Sequence, residues 1–248
     1  MLLVILIIFV FGLIIGSFLN VCIYRYQSQE SIAKGRSHCQ NCDHSLSWYE
    51  LIPIFSWIFL GGKCKSCKQP ISIRYPLVEC LTGFIFTGVF LTFGFTLDTL
   101  VYFLFVSILI MAGFIDYDSM IIPDRTHIIC ILCGILLLIL HPEQLTNKLI
   151  GLVVVSVPLF LIAYFTKGMG YGDVKLMASC GFVLGWQNIL FAFLLGSVIA
   201  SIYGIITSRI NKTSLKSEIP FGPHLVISIL FCLFFGNQLI TWYLTSFF

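Results

Sequence analysis

Long apolar stretches alternate along this chain with short polar ones. Predominantly apolar runs cover 1–23, 77–95, 99–115, 127–140, 148–166, 174–186, 188–207 and 221–245. A membrane span needs about 20 such residues. The pattern therefore predicts an all-α polytopic membrane protein with about eight transmembrane helices. The runs at 127–140 and 174–186 are short for full spans and are expected to extend into their polar flanks. Met1 to Ile23 carries no charge and lacks the basic start and small-residue cleavage site of a signal peptide. It reads as a helix that stays in the bilayer.

Composition sharpens this picture. The 248 residues are 58% hydrophobic and 10% charged, with mean hydropathy +1.01. That excludes disorder, a collagen-like fibre and a nucleic-acid-binding domain, and argues against a soluble globule. A net charge of +3 is too small to imply an anionic partner. The position of the charges is more telling. Thirteen of the fourteen Lys and Arg residues fall in the loops at 24–76, 116–126, 167–175 and 208–220; Lys148 is the exception. Basic residues favour the cytoplasmic side, so those loops are expected inside and both termini outside.

The largest polar stretch, 24–76, holds Cys39-Gln40-Asn41-Cys42 and, after 21 intervening residues, Cys64-Lys65-Ser66-Cys67. Two CxxC knuckles resemble a four-thiolate zinc site, each curling two thiolates toward one tetrahedral ion. Gly61-Gly62 precedes the second knuckle, and Lys63, Lys65 and Lys68 would offset the negative charge of a zinc tetrathiolate. Two disulfides or free thiols are the alternative, and disulfides are disfavoured in a reducing cytoplasm. A metal would hold together a loop with few large apolar side chains. The chain thus divides into a first helix (1–23), a small cytoplasmic zinc-binding loop domain (24–76) and a multi-helix membrane part (77–248). Cys22, Cys80, Cys130, Cys133, Cys180 and Cys232 lie in apolar runs, where Cys behaves as a small hydrophobe.

Carboxylates near a bilayer are functional suspects. Asp116, Asp118 and Asp124 cluster in one cytoplasmic turn, and Asp173 stands in Gly168-Met169-Gly170-Tyr171-Gly172-Asp173-Val174-Lys175. Such a pair suits aspartyl-protease chemistry. Like charges about 3 Å apart do not readily both ionise, so one carboxyl keeps its proton. The ionised one takes a proton from water as it attacks a carbonyl, and the protonated one donates to the carbonyl oxygen. The glycines at 168, 170 and 172 are expected to let backbone pass close by and take positive φ. Asp124 after Pro123 reads as a helix N-cap, and Asp118 as a solvated turn residue. Asp116, flanked by Phe114 and Ile115, is the most membrane-embedded of the three. Asp173 alone could be an N-cap; its pairing with the first cluster strengthens the catalytic reading.

These motifs resemble those of the type IV prepilin peptidases. Gly170-Tyr171-Gly172-Asp173-Val174-Lys175 is similar to their GxGDxK motif, and Asp116 through Asp124 to their other aspartate motif. Gly16-Ser17-Phe18-Leu19-Asn20-Val21, the two knuckles, Arg74-Tyr75-Pro76-Leu77-Val78-Glu79 and Ile219-Pro220-Phe221-Gly222-Pro223 match in the same order. The shortish chain looks most like the competence-type members of Gram-positive bacteria.

The resemblance implies a GxGD-type intramembrane aspartyl protease with catalytic Asp116 and Asp173. It would cleave the basic leader of prepilins and pseudopilins at the cytoplasmic face of the cell membrane. It implies N-methylation of the new N-terminus by the cytoplasmic domain, with S-adenosylmethionine as donor; no glycine-rich nucleotide fingerprint in 24–76 supports this independently. Gly170, Gly172, Lys175 and Glu79 are expected to support the site. Lys175 would act on a carboxylate or on substrate carbonyls, or else snorkel at the interface. Glu79 would pair with Arg74 or contact substrate. Two other classes stay open: an ion-coupled transporter, which would place its charges near the midplane of paired repeats, and a non-catalytic pilus or secretion assembly protein.

Overall fold

The computed structural model describes residues 1–31, 35–166, 169–211 and 219–247. Lys34, Lys167, Gly168, Lys212 and Lys216, which enter the charge map and the glycine motif, lie outside the described residues. Within them every regular element is helical, and the polar stretch is mostly turns and irregular backbone with two isolated β-bridges. All eight apolar runs form helices. They give α1 (Leu2–Gln27), α3 (Arg74–Phe93), α4 (Leu97–Ser119), α5 (Asp124–Leu140), α6 (Leu145–Val154) with α7 (Ser156–Thr166), α8 (Tyr171–Leu184), α9 (Trp186–Asn211) and α10 (Gly222–Phe247). A short helix, α2 (Phe55–Phe59), lies in the polar stretch.

Among the described residues, six segments are long and apolar enough to cross a membrane: α1, α3, α4, Pro142–Thr166, α9 and α10. The other two runs do extend into their polar flanks, but α5 reaches 17 residues and α8 only 14. At 1.5 Å per residue, fourteen residues rise about 21 Å, less than the roughly 30 Å hydrocarbon layer. The break between α6 and α7 at Val155 follows from Pro158, which lacks the N–H that would bond the Val154 carbonyl.

The chain forms two compact units, Met1–Thr99 and Leu100–Phe248. In the first, α1 packs closely on α3. A Cβ on Gly12 would stand 2.7 Å from Gly83 Cα, and one on Gly16 would stand 2.7 Å from Glu79 Cα. The small-xxx-small pattern of α1 thus brings two backbones together. Asn20 Nδ2 donates to the Tyr75 carbonyl at 3.0 Å, joining the same helices by a polar contact.

In the second unit α6 and α8 approach through Gly151 and Gly181, where an added Cβ on either would land on the other's carbonyl oxygen. Phe182 fills the gap beside Gly134 of α5. Lys148, 2% exposed, donates to the Val183 carbonyl at 3.0 Å and so caps the end of α8. These contacts hold α8 between α5 and α6, which positions its N-terminal turn.

Candidate active site

Asp116 sits in the last turn of α4 and is 5% exposed, next to fully buried Ile115. The helix closes just beyond it, where Met120 N–H bonds the Asp116 carbonyl at 2.8 Å with φ of +54°. A non-glycine residue in the left-handed region is strained, and such strain gathers at functional sites. The Asp116 carboxylate accepts the backbone N–H of Gly222 at 3.0 Å through Oδ2. Gly222 is the first residue of α10, so the open N-terminus of that helix faces the acid. A Cβ at Gly222 would stand 2.5 Å from the same oxygen; glycine is required there for space.

Asp173 lies in the first turn of α8, three residues after the N-cap Gly170. It lines one cavity of about 210 Å³ together with Asp116. Gly170, Gly172, Lys175 and Asp124 line it too, with Met120, Ile121 and Ile122 supplying apolar wall. Five of the residues expected at the site thus converge: Asp116, Asp173, Gly170, Gly172 and Lys175. The reason for the glycines needs correction. Gly170 has φ of −71°, and Gly172 is likewise absent from the positive-φ residues. Their use is spatial. A Cβ at Gly172 would stand 3.4 Å from Ile122, and one at Gly170 3.7 Å from Asp173 Oδ2. Side chains there would narrow the cavity.

Asp124 also departs from expectation. Pro123 is the N-cap of α5 and makes no side-chain cap bond. Asp124 is the first helical residue, and its Oδ1 accepts Lys175 Nζ at 2.7 Å. The pair ties α5 to α8 at the cavity. Both side chains are largely exposed, 76% and 55%, so its contribution to stability is small, about 0–1 kcal/mol. Asp118 is exposed, as expected, but it lies in the last turn of helix α4 rather than in a turn between elements.

The four cysteines of the polar stretch converge in the first unit. Their sulfurs all lie within 4.8 Å of one another, the one such group of possible ligands among the described residues. Both knuckles fold alike. Cys39 N–H bonds the His44 carbonyl and Asp43 N–H returns to the Cys39 carbonyl; Cys64 N–H bonds the Gln69 carbonyl and Lys68 N–H returns to the Cys64 carbonyl. Asp43 and Lys68 both take positive φ, 53° and 61°. The Cys39–Cys67 and Cys42–Cys64 sulfur pairs stand 3.8 and 4.0 Å apart. Tetrahedral zinc–thiolate bonds of about 2.3 Å put sulfurs about 3.8 Å apart, so the donor set and its spacing fit zinc. The Cys67 backbone N–H, opposed by burial and helped by that of Ser66, draws the Cys64 thiol down to about 6. At Cys42 the His44 backbone N–H pulls down, but burial and hydrogen bonds to the other three sulfurs push the thiol up to about 12. Cys64 is the one apolar residue buried between 24 and 76 among the described residues. The loop has no apolar core.

Glu79 also belongs to the first unit. It is 7% exposed, and its Oε2 accepts the Ile54 N–H at 2.7 Å. Two residues have structural roles that the sequence reading did not assign, although Gly222 stood in the Ile219–Pro223 motif. Gly222 gave no local signal of its contact with Asp116. Glu50 did, because Ser47-Trp48-Tyr49-Glu50 spells a capping box that the structure forms.

Comparison with known proteins bears on both units. Residues 10–93 match the Bacterial Peptidase A24 N-terminal domain and residues 103–205 match the Type IV leader peptidase family. Three relatives are each named prepilin leader peptidase/N-methyltransferase. That of Aeromonas hydrophila is 34% identical over 271 residues, covering 97% of this chain and 93% of the relative. That of Bacillus subtilis (strain 168) is 34% identical over 243 residues, covering 96% and 97%. That of Pseudomonas aeruginosa is 33% identical over 265 residues, covering 94% and 91%. No solved structure matches the chain.

Proposed function

The chain belongs to the type IV leader peptidase family, and on that premise we propose that it is a membrane aspartyl endopeptidase that removes the leader of type IV prepilins and then N-methylates the exposed N-terminus. The observation that carries the peptidase half is the single cavity lined by Asp116 from α4 and Asp173 from α8. Two carboxylates confined together share a proton. Water enters between them and the scissile peptide. The ionised carboxylate removes a water proton as the oxygen bonds the carbonyl carbon; the protonated one gives its proton to the carbonyl oxygen. Collapse of the resulting diol breaks the C–N bond: the proton held by the first carboxylate passes to the departing amine, and one diol hydroxyl returns its proton to the second carboxylate as the carbonyl reforms. Gly222 N–H fixes the Asp116 carboxylate, and Gly170 and Gly172 leave room for an extended peptide.

The GxGD-type architecture and a full set of eight spans go with this reading, with α5 and α8 as the two short members beside the cavity. The charge distribution supports an inner-membrane orientation with both termini outside and the aspartates at the cytoplasmic face. The functional parts then follow the chain: a first helix at 1–23, the cytoplasmic loop domain at 24–76 and the peptidase at 77–248. Cys39, Cys42, Cys64 and Cys67 hold a structural zinc that replaces the missing apolar core. S-adenosylmethionine, when bound, supplies the methyl group.

Cleavage of a prepilin by purified protein in detergent tests the function. Asp116→Asn and Asp173→Asn should each abolish it while the protein still inserts, and full activity in either would sink the assignment. Asp124→Asn should be milder, since the pair it breaks is exposed. Metal analysis should find about one zinc per chain, in keeping with one four-thiolate site. Serine at one knuckle should release it and leave the loop protease-sensitive; zinc-free protein purified without chelators would reject the site.

A further inference from the structure

The polar stretch 24–76 contains one segment that is not polar. Residues 51–62, between Glu50 and Lys63, carry no charge. They hold α2 and the turn before it. Ile54 bends the chain there with φ of +62°, in a turn closed by Phe55 N–H on the Pro53 carbonyl at 2.6 Å. Trp57 of α2 faces the rest of the loop. Its Nε1 donates to the Ile71 carbonyl at 3.0 Å, and a Cβ on Gly62 would stand 2.9 Å from its ring. The other side of α2 is uncovered. Phe55, Ile58 and Phe59, spaced three and four apart on one helical face, are all exposed, Phe59 by 84%. Leu51 and Ile52, just before the turn, are exposed too. An apolar face left open in this way marks an interaction site.

Three observations say what covers it. The first is tethering. The stretch leaves α1 at Gln27 and enters α3 at Arg74, and both helices are long and apolar enough to cross a membrane. The second is depth. Ile54 N–H bonds Glu79 Oε2 at 2.7 Å, and Glu79 lies about 7.5 Å along α3 from Arg74. Arg74 suits the headgroup level, whereas Leu77, Leu81 and Phe84 of the same helix are exposed apolar residues, as on a lipid-facing wall. The Ile54 turn, and α2 after it, thus start where that wall starts. Segments lying in the membrane plane bury an apolar face about 5–10 Å into the headgroup–acyl boundary, which matches this depth. The third is the flank. Trp48 and Tyr49, both exposed, meet edge to face, and Lys65 Nζ lies over the Tyr49 ring and donates to its hydroxyl at 2.6 Å. Trp and Tyr collect at the headgroup level, and lysine complements anionic headgroups. Lys63 and Lys68 are exposed nearby in the chain.

We propose that 51–60 is an in-plane membrane anchor, covered by the lipid leaflet that α1 and α3 enter. Leu51, Ile52, Phe55, Ile58 and Phe59 reach the acyl boundary, and Trp48, Tyr49 and Lys65 sit among the headgroups. This rests on α1 and α3 as spans and not on the chemistry of either reaction. It also accounts for a loop without an apolar core: the large apolar side chains of 51–60 go to lipid, and the four cysteines organise the rest.

The test is carbene labelling from within the bilayer. Full-length protein is placed in vesicles of phosphatidylethanolamine and phosphatidylglycerol that contain a phospholipid with a diazirine on its acyl chain. After irradiation, the labelled peptides are mapped by mass spectrometry. Peptides from 51–60 should take label as those of α1 do, while 39–46 stays bare. Ile58→Glu with Phe59→Glu puts two carboxylates against acyl chains, and label on 51–60 should fall about tenfold with α1 and α3 labelled as before. Ile58→Leu with Phe59→Leu should keep the wild-type pattern. Label that survives the two glutamates overturns the anchor.

Should the glutamate variant fail to insert, the wild-type map decides: label on 51–60 upholds the proposal. If α1 and α3 are labelled and 51–60 is not, the anchor alone falls; if all three stay bare, the reading of the spans falls with it. Two further arms identify a rival occupant. Label on 51–60 that vanishes when prepilin is added places the substrate on this face, and label that appears only when the protein is diluted among vesicles places a second copy there. Either outcome overturns the lipid assignment, and label unchanged in both arms upholds it.

Discussion

Gly222 has the sharpest single-residue role at the aspartate cavity. Its N–H reaches Asp116 Oδ2, and its missing side chain leaves room for that oxygen. Gly222→Ala puts a methyl group 2.5 Å from the carboxylate, so either the acid turns or α10 withdraws its first N–H. Helix formation itself should survive, since Ala is a good helix former. Losing a hydrogen bond to a charged group costs about 1.5–3 kcal/mol. Gly222→Ala should therefore lower kcat for prepilin cleavage by roughly 10- to 150-fold with little change in KM, as expected when a group acts on the reacting centre rather than on binding. An unchanged kcat would show that the contact is idle.

At this scale the sequence was uneven as a guide. Asp116, Asp173 and the four cysteines stand in local motifs, and local motifs are readable. The Gly222 contact joins residues 106 apart, and no spacing rule spans that distance. The positive φ of Met120 and Ile54 was hidden for another reason. Neither residue prefers that conformation; tertiary contacts impose it.

Helices meet here through glycine, and two kinds of glycine should respond differently to the same change. Gly16 packs on the Glu79 backbone, where a Cβ would stand 2.7 Å from Cα and only a shift of α1 from α3 could relieve it. Gly94 ends α3 with φ of +69° and has open space around it. Gly16→Ala should cost about 1–3 kcal/mol through crowding, and Gly94→Ala about 1–2 kcal/mol through backbone strain alone. The distinguishing outcome is what else moves. Gly16→Ala should also disturb the Glu79 hydrogen bond to Ile54 and the lipid contact of 51–60, while Gly94→Ala should lower the melting temperature in detergent and leave the labelling of 51–60 alone. Equal effects on both properties would contradict the close packing of α1 on α3. The four-residue spacing of Gly12 and Gly16 is the small-residue pattern that such packing uses, and the eight apolar runs announced their helices. The lengths of α5 and α8 were less legible, because a short helix packed among neighbours need not satisfy the rule for an isolated span.

The proposed function divides the chemistry between two units: the aspartates belong to Leu100–Phe248, and the loop domain proposed for methyl transfer belongs to Met1–Thr99. The reactions are nevertheless ordered, because the amine to be methylated does not exist until the leader is cut. Asp173→Asn should therefore lose both products on a prepilin yet still methylate a pilin supplied already cleaved. The pH dependence of that second reaction also follows. An α-amine has a pKa of about 7.7–8.0 and attacks only when neutral. With pre-cleaved pilin and saturating donor, methylation should rise as pH passes through that range and then level, since more of the nucleophile is deprotonated. Mass spectrometry of the pilin N-terminus reads each outcome. A properly folded Asp173→Asn protein that cannot methylate pre-cleaved pilin would mean that the aspartate cavity serves both steps, and the division between units would have to be abandoned.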